Sequence, residues 1–341
     1  LWKGVAVTFV EAHAPGRVNL IGEHTDYTDG LAMPMAIDLG TTVYGQRGDG
    51  TSVVLRSAIE EAPVEIPLDL EDPTSLAGWA RYVGGVVVEL TPTHGFDGHV
   101  TTTLPVGGGL SSSAALVVAL ALALGADGSD PVALARQCQQ AEQRAGIRCG
   151  ILDQLAVAAG VEDHALLLDF RSLAVEPVAI PDDVDVIILD SGEERQLMGS
   201  AYDDRRAQCE AAASEIGPLR DADLADVDRL GDDLLRRRAR HVITENRRVR
   251  DFAAALRAGD YVTAGQQLWA SHESLRDDFE VSTRTLDHLV EALRETPGVF
   301  GARLTGAGFG GCVVAITERG AVPWTTPVRA SRGAHLVSPT S

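Results

Sequence analysis

The pattern of apolar and polar positions changes character along this chain. Up to about Ile66, apolar residues come in short runs punctuated by glycine. VAVTFVEAH (5–13), AMPMAIDLGTTVYG (32–45) and TSVVLRS (51–57) read as strands of a mostly β N-terminal layer. From Trp79 to Leu90 the spacing becomes helical. Thr101 to Leu104 then reads as a strand running into LPVGGGLSSSAALVVALALALG (104–125), a glycine loop followed by an apolar helix. Helices are expected over Pro131–Arg144 and Asp153–Gly160, the second with an acid at its N-terminus where the helix dipole favours negative charge. ALLLDF (165–170) and VDVIILD (184–190) read as strands, and long amphipathic helices fill the stretch from Ala201 to Leu293. One of them carries RRRARHVITENRRVR (236–250), whose charges at i, i+4 spacing predict a solvated face. The chain closes on LTGAGFGGCVVAIT (304–317), a glycine loop feeding a strand, and a strand-like VRASRGAHLV (328–337).

This alternation predicts an α/β protein of the α+β type. There is no internal repeat, and the expected division is into an N-terminal domain, 1–175, and a C-terminal domain, 176–341. Length and composition agree, since 341 residues with 45% apolar and 23% charged suffice for two domains with real cores. Charge removes one class of partner. The 49 acidic against 29 basic residues give a formal charge of -20, which repels a nucleic-acid backbone. The four cysteines, Cys138, Cys149, Cys209 and Cys312, form no C-x-x-C pair, so neither a zinc knuckle nor a redox dithiol is suggested. The longest apolar run, Ala114 to Leu124, is too short to span a bilayer. A cytoplasmic protein with reduced thiols and no membrane partner is expected. The oligomeric state is left open, and a monomer is compatible with the sequence.

The glycine loop is the first place where chemistry enters. Gly107, Gly108 and Gly109 let backbone N–H groups approach a ligand, Ser111, Ser112 and Ser113 add hydroxyls, and the helix aims its positive end at the same place. A bare glycine turn with a serine cap is the plain alternative, but so many such features in one place favour a triphosphate site. Walker-type and protein-kinase sites each need a lysine at the phosphates, and Lys3 is the only lysine in the chain. Leu110 and Ser111 after Gly109 also exclude the G-x-S-x-G elbow of a hydrolase.

A second cluster lies in GRVNLIGEHTDYTDG (16–30), where Arg17, Asn19, Glu23, His24 and Asp26 crowd a glycine-flanked strand end. Carboxylates and a histidine so close together can bond several hydroxyls of one sugar, leaving Arg17 for phosphate oxygens. Metal binding by His24 is weaker, because no second His or Cys stands at ligand spacing.

With these segments in view, the chain resembles the galactokinases of the GHMP small-molecule kinase family. GRVNLIGEHTDY is similar to their signature, LPVGGGLSSSAA to the family's phosphate loop, CGILDQ to the segment with its catalytic Asp, and LTGAGFGGC to its third motif. WARYVGGVV, GSAYDDRRAQCE, RARHVITEN and SHESLRDDFE extend the likeness over nearly the whole chain. The resemblance implies a two-domain GHMP kinase fold with the active site in the inter-domain cleft, and transfer of the γ-phosphoryl group of ATP to the C1 hydroxyl of galactose.

Carried over residue by residue, the resemblance makes Asp153 the catalytic acid/base and Arg17 its charge partner. Glu23, His24, Asp26, Gly150 and Tyr202 become sugar contacts. The phosphate loop from Gly107 to Ser113, Leu110 included, becomes the ATP site, with Trp79 and Tyr82 near the adenine. Ser112 and Glu142 would hold Mg²⁺, with Ser111 an equal alternative to Ser112. The chain departs from the pattern in AEQRAGIRCG (141–150), one residue shorter than usual, and in abbreviated ends. Kinases for N-acetylgalactosamine or L-arabinose are same-class alternatives, disfavoured by Thr25 and by Asn19, Glu23 and His24. A non-catalytic galactose sensor is disfavoured by Ser113 and Ala114, since such sensors have a shortened loop.

Overall fold

The computed structural model describes residues 8–60, 62–105, 108–193 and 198–338. In its first part lie β1 (Thr8–Asn19), β2 (Leu31–Ala32), β3 (Pro34–Gly48), β4 (Ser52–Ser57), β5 (Val64–Pro67), α1 (Ala80–Leu90) and β6 (Gly95–Thr102). Three helices follow, α2 (Ser112–Leu124), α3 (Pro131–Arg144) and α4 (Leu152–Ala159), then β7 (His164–Asp169), β8 (Ala174–Ala179) and β9 (Val184–Asp190). The remainder is α5 (Met198–Ile216), α6 (Leu224–Val227), α7 (Asp233–Arg257), α8 (Tyr261–Asp277), α9 (Arg284–Arg294), β10 (Val299–Thr305), β11 (Cys312–Glu318) and β12 (His335–Leu336).

A six-stranded sheet in the order β12-β1-β3-β6-β4-β5 forms the first layer, antiparallel except where β4 runs parallel to β6. α2 is apolar on every side because it packs against β1 and β3 while α1, α3 and α4 cover it. α3 begins where Asp130 accepts from the N–H groups of Val132 and Ala133 and Pro131 occupies a first-turn position that needs no donor. The second layer is the antiparallel sheet β10-β11-β9, packed against α8 and α9.

Two apolar cores result, and α7 serves both. Val249, Phe252 and Leu256 sit in the core of the first sheet, and Ala239 and Val242 in that of the second. The helix therefore ties the two halves together on the side where the sugar-type signature lies.

Several expectations are corrected. The strand placed at 101–104 ends at Thr102, where Thr102 and Thr103 turn their hydroxyls onto the Gly40 carbonyl. VRASRGAHLV pairs as a strand only at His335–Leu336, with isolated bridges at Val328 and Ala330. Positions 175 and 176 both lie in β8, and β12 pairs with β1 in the first sheet. Nor is the arginine-rich face of α7 wholly solvated. Arg238 is 1% exposed and donates to Gln208, to the Asp278 carbonyl and to Glu280.

Candidate active site

Two cavities meet at a buried guanidinium and a carboxylate. The larger, about 740 Å³, is walled by the glycine-loop residues Gly108, Gly109 and Ser111 to Ser113 and by Trp79, Tyr82, Asp190 and Glu193. The smaller, about 480 Å³, is walled by Glu23, His24, Asp26, Glu142, Gly150 and Tyr202. Arg17, Asp153, Tyr82 and Ser113 line both.

Arg17 owes its place to a break in β1. Pro15 has no N–H to offer the ladder, and the pairing with β3 shifts register between Pro15 and Arg17. At this bulge, Gly16 brings the strand against the loop, since a Cβ there would stand 2.8 Å from the Leu110 carbonyl. Arg17 N–H donates to that carbonyl at 3.2 Å. The side chain then turns to Asp153, with Nε 2.8 Å and Nη2 2.6 Å from Oδ1, while Nη1 donates to the Gly109 carbonyl at 2.7 Å. Ser111 Oγ donates to the other carboxylate oxygen, Oδ2, at 2.6 Å.

Around the smaller cavity the polar groups are tightly held. Gly150 must be glycine because a Cβ would fall 1.5 Å from Asp26 Oδ2. Burial first, then the charges of Asp153 and Glu23, push the Asp26 carboxyl up to about 7. Glu23 Oε1 accepts from the Gly306 N–H at 2.6 Å and stands 3.3 Å from Arg303. Burial drives the pKa of His24 down to about 3, so its ring is neutral. Nε2–H donates to the Ala307 carbonyl at 3.2 Å and Nδ1 accepts from Tyr27 Oη at 2.9 Å. Both ring nitrogens are thus engaged within the protein, and His24 meets the cavity by its ring. Tyr202 packs its ring 5.6 Å from His24.

Glu142 is buried, and its Oε1 has no hydrogen-bond partner among the described residues. Burial and the Asp153 charge raise its carboxyl to about 7. An orphaned oxygen on a carboxylate that lines a cavity suits a hard cation. Of the pair expected to hold a metal, Ser112 lines the larger cavity and Glu142 the smaller, while Ser113 lines both.

Most anticipated residues converge here. Leu110 does not line either cavity: it is buried, and only its carbonyl takes part. Gly107 lies outside the described residues. Sequence reasoning missed the residues that hold the signature segment from behind. Glu245 Oε1 accepts from Gly22 N–H at 2.9 Å, Asn246 Oδ1 from Leu31 N–H at 2.7 Å, and His241 Nε2 donates to the Glu23 carbonyl at 3.2 Å. Their signal was present as polar residues one turn apart in RHVITEN, but the surrounding arginines masked it.

Comparison with known proteins fits this geometry. The galactokinase galactose-binding signature matches residues 6–47, the GHMP kinases N terminal domain residues 81–161 and the GHMP kinases C terminal domain residues 252–323. A galactokinase of Homo sapiens is 45% identical over 329 residues, covering 91% of this chain and 84% of that one. A galactokinase of Mycobacterium tuberculosis (strain H37Rv) is 43% identical over 319 residues, covering 89% and 87%. Among solved structures, Lactococcus lactis galactokinase complexed with galactose superposes with a TM-score of 0.87 at 32% identity, over 96% of this chain and 95% of that one. Methanococcus jannaschii mevalonate kinase, at 17% identity and a TM-score of 0.68 over 95% and 99%, shares the fold.

Proposed function

The chain belongs to the galactokinases of the GHMP kinase family, and from that membership we propose how its two joined cavities carry out the reaction. The enzyme phosphorylates D-galactose with ATP, giving α-D-galactose 1-phosphate and ADP. ATP occupies the larger cavity, with its base toward Trp79 and Tyr82 and its phosphates over the loop amides and the N-terminus of α2. Galactose occupies the smaller cavity, where Glu23, Asp26 and Tyr202 supply polar groups and His24 a ring face.

The observation that carries this reading is that Arg17 and Asp153 stand in the wall common to both cavities. The galactose O1 attacks the γ-phosphorus, the bond to the β–γ bridging oxygen breaks, and the O1 proton passes to the Asp153 carboxylate. Arg17 holds that carboxylate and offsets charge developing on the transferred group. Glu142 and Ser112 would hold Mg²⁺, supported by the unpartnered Glu142 oxygen, and the ion would offset phosphate charge.

No helix among the described residues is long and apolar enough to cross a membrane. The test is a coupled assay of ADP release with ATP, Mg²⁺ and a panel of hexoses. Galactose should exceed glucose by at least 100-fold in kcat/KM, because an equatorial 4-hydroxyl leaves buried polar groups of the site unpaired. Equal rates would remove the sugar assignment.

A further inference from the structure

Ser111 occupies a position that a serine does not need for the fold. It stands at the N-cap of α2, where a serine oxygen ordinarily accepts from the N–H groups of the first turn, yet it makes no such bond. Its backbone is left-handed, φ 58°, a conformation that favours glycine, although three glycines precede it in the same loop. The side chain is buried, and its hydroxyl reaches a residue 42 positions away, donating to Asp153 Oδ2 at 2.6 Å. Strained backbone and unused cap are both costs, and the contact with Asp153 is what they accompany.

The two oxygens of Asp153 are also unequally occupied. Oδ1 lies within 2.8 Å of both Nε and Nη2 of Arg17, so its two lone pairs are claimed. Oδ2 carries the single bond from Ser111. One lone pair on Oδ2 remains for a substrate hydroxyl.

We propose that Ser111 is a positioning residue for the phosphoryl transfer: it turns the Asp153 carboxylate so that Oδ2 meets the C1 hydroxyl of the sugar. This rests on the assignment of Asp153 given above. It also separates Ser111 from its neighbours Ser112 and Ser113, which line the nucleotide cavity without touching Asp153 through any hydrogen bond among the described residues. Binding of ATP is then not the main role of the Ser111 hydroxyl.

The test uses Ser111→Gly and Ser111→Ala in the whole enzyme, with kcat, KM for each substrate, galactose affinity and melting temperature measured on the same samples. Glycine relieves the left-handed backbone, so Ser111→Gly should melt at or above the wild-type temperature. It should nonetheless lose roughly 10- to 100-fold in kcat, the worth of a hydrogen bond to a charged group, while both KM values move less than threefold. Ser111→Ala keeps the backbone strain and should show the same kcat loss. A structural role would instead make the glycine variant as active as it is stable, and normal kcat in Ser111→Gly overturns the proposal. A loss confined to KM for ATP overturns it too, making Ser111 a nucleotide contact. Asp153→Asn is assayed alongside: if it retains near-normal kcat, the catalytic assignment of Asp153 fails. If it is slow while Ser111→Gly is normal, only the inference about Ser111 fails.

Discussion

Replacing Gly150 by alanine isolates the contact between the α3–α4 turn and Asp26 in the smaller cavity, the proposed sugar site. The backbone there is not left-handed, so alanine is allowed by local conformation, and the only conflict is steric. The new Cβ would lie 1.5 Å from Asp26 Oδ2 and 2.4 Å from its Cγ. Non-bonded carbon and oxygen do not approach within about 3 Å, so the carboxylate or the turn must retreat by roughly 1.5 Å. Overpacking of this kind costs about 1–3 kcal/mol of stability, which leaves the protein folded. Misplacing a substrate-binding group by about 1 Å costs on the order of 100-fold in rate, equivalent to about 2.7 kcal/mol of transition-state stabilisation.

Gly150→Ala should therefore lower kcat/KM for galactose by roughly 100-fold and weaken galactose binding in calorimetry. KM for ATP should stay within about threefold, because neither Gly150 nor Asp26 lines the larger cavity. Adding Asp26→Ala removes the clash, so the double variant should regain melting temperature without regaining galactose affinity. A folded Gly150→Ala enzyme with galactose kcat/KM within threefold of wild type would refute the argument, since Asp26 would then not be needed where the structure holds it.

Asp153→Asn keeps size and much of the hydrogen bonding but loses the negative charge, so kcat should fall by about 10²- to 10⁴-fold while galactose affinity in calorimetry moves little. Glu245→Gln leaves Arg248, 2.6 Å from Glu245, without its counter-charge and weakens the hold on Gly22; thermal denaturation should show a loss of about 2–4 kcal/mol, with KM for galactose raised. The Asp26 carboxyl is raised to about 7 on folding, so between about pH 4 and 7 the folded state binds more protons and this group's contribution to stability falls as pH rises. Asp26→Asn should accordingly gain in melting temperature relative to wild type from pH 5.5 to pH 8; a constant difference across that range would show that Asp26 is not held neutral in the empty site.

What the sequence showed plainly was local. The bounds of α3, Pro131–Arg144, were legible because cap, first-turn proline and apolar spacing all lie within the helix. The signature and the phosphate loop were legible because each concentrates its chemistry in about a dozen residues. What stayed hidden was long-range: the hold of Glu245 on Gly22 joins positions 223 apart, and the bond from Ser111 to Asp153 depends on how α2 and α4 pack. Arg238 misled because an i, i+4 charge pattern is the same whether the helix face meets water or, as here, the backbone of Asp278 and the ring of Phe279.

The charge balance of the site closes the argument about its chemistry. Asp26, Glu142, Asp153 and Glu23 stand around one small cavity, in a chain of net charge -20 whose only lysine lies outside the described residues. Burial first, and then repulsion from Asp153, raises the carboxyls of both Asp26 and Glu142. Among the described residues, the larger cavity offers an anionic triphosphate the guanidinium of Arg17 and the N-terminal amides of α2, while Arg148 lines only the smaller cavity. The proposed Mg²⁺ at Glu142 would supply what those leave short, by ionising an acid that burial otherwise holds near neutral and by offsetting the triphosphate at the same time. On the proposed reading, a kinase of this acidity with no lysine among the residues lining either cavity would draw on metal and arginine together, with Arg17 serving the acceptor and the donor from a single position.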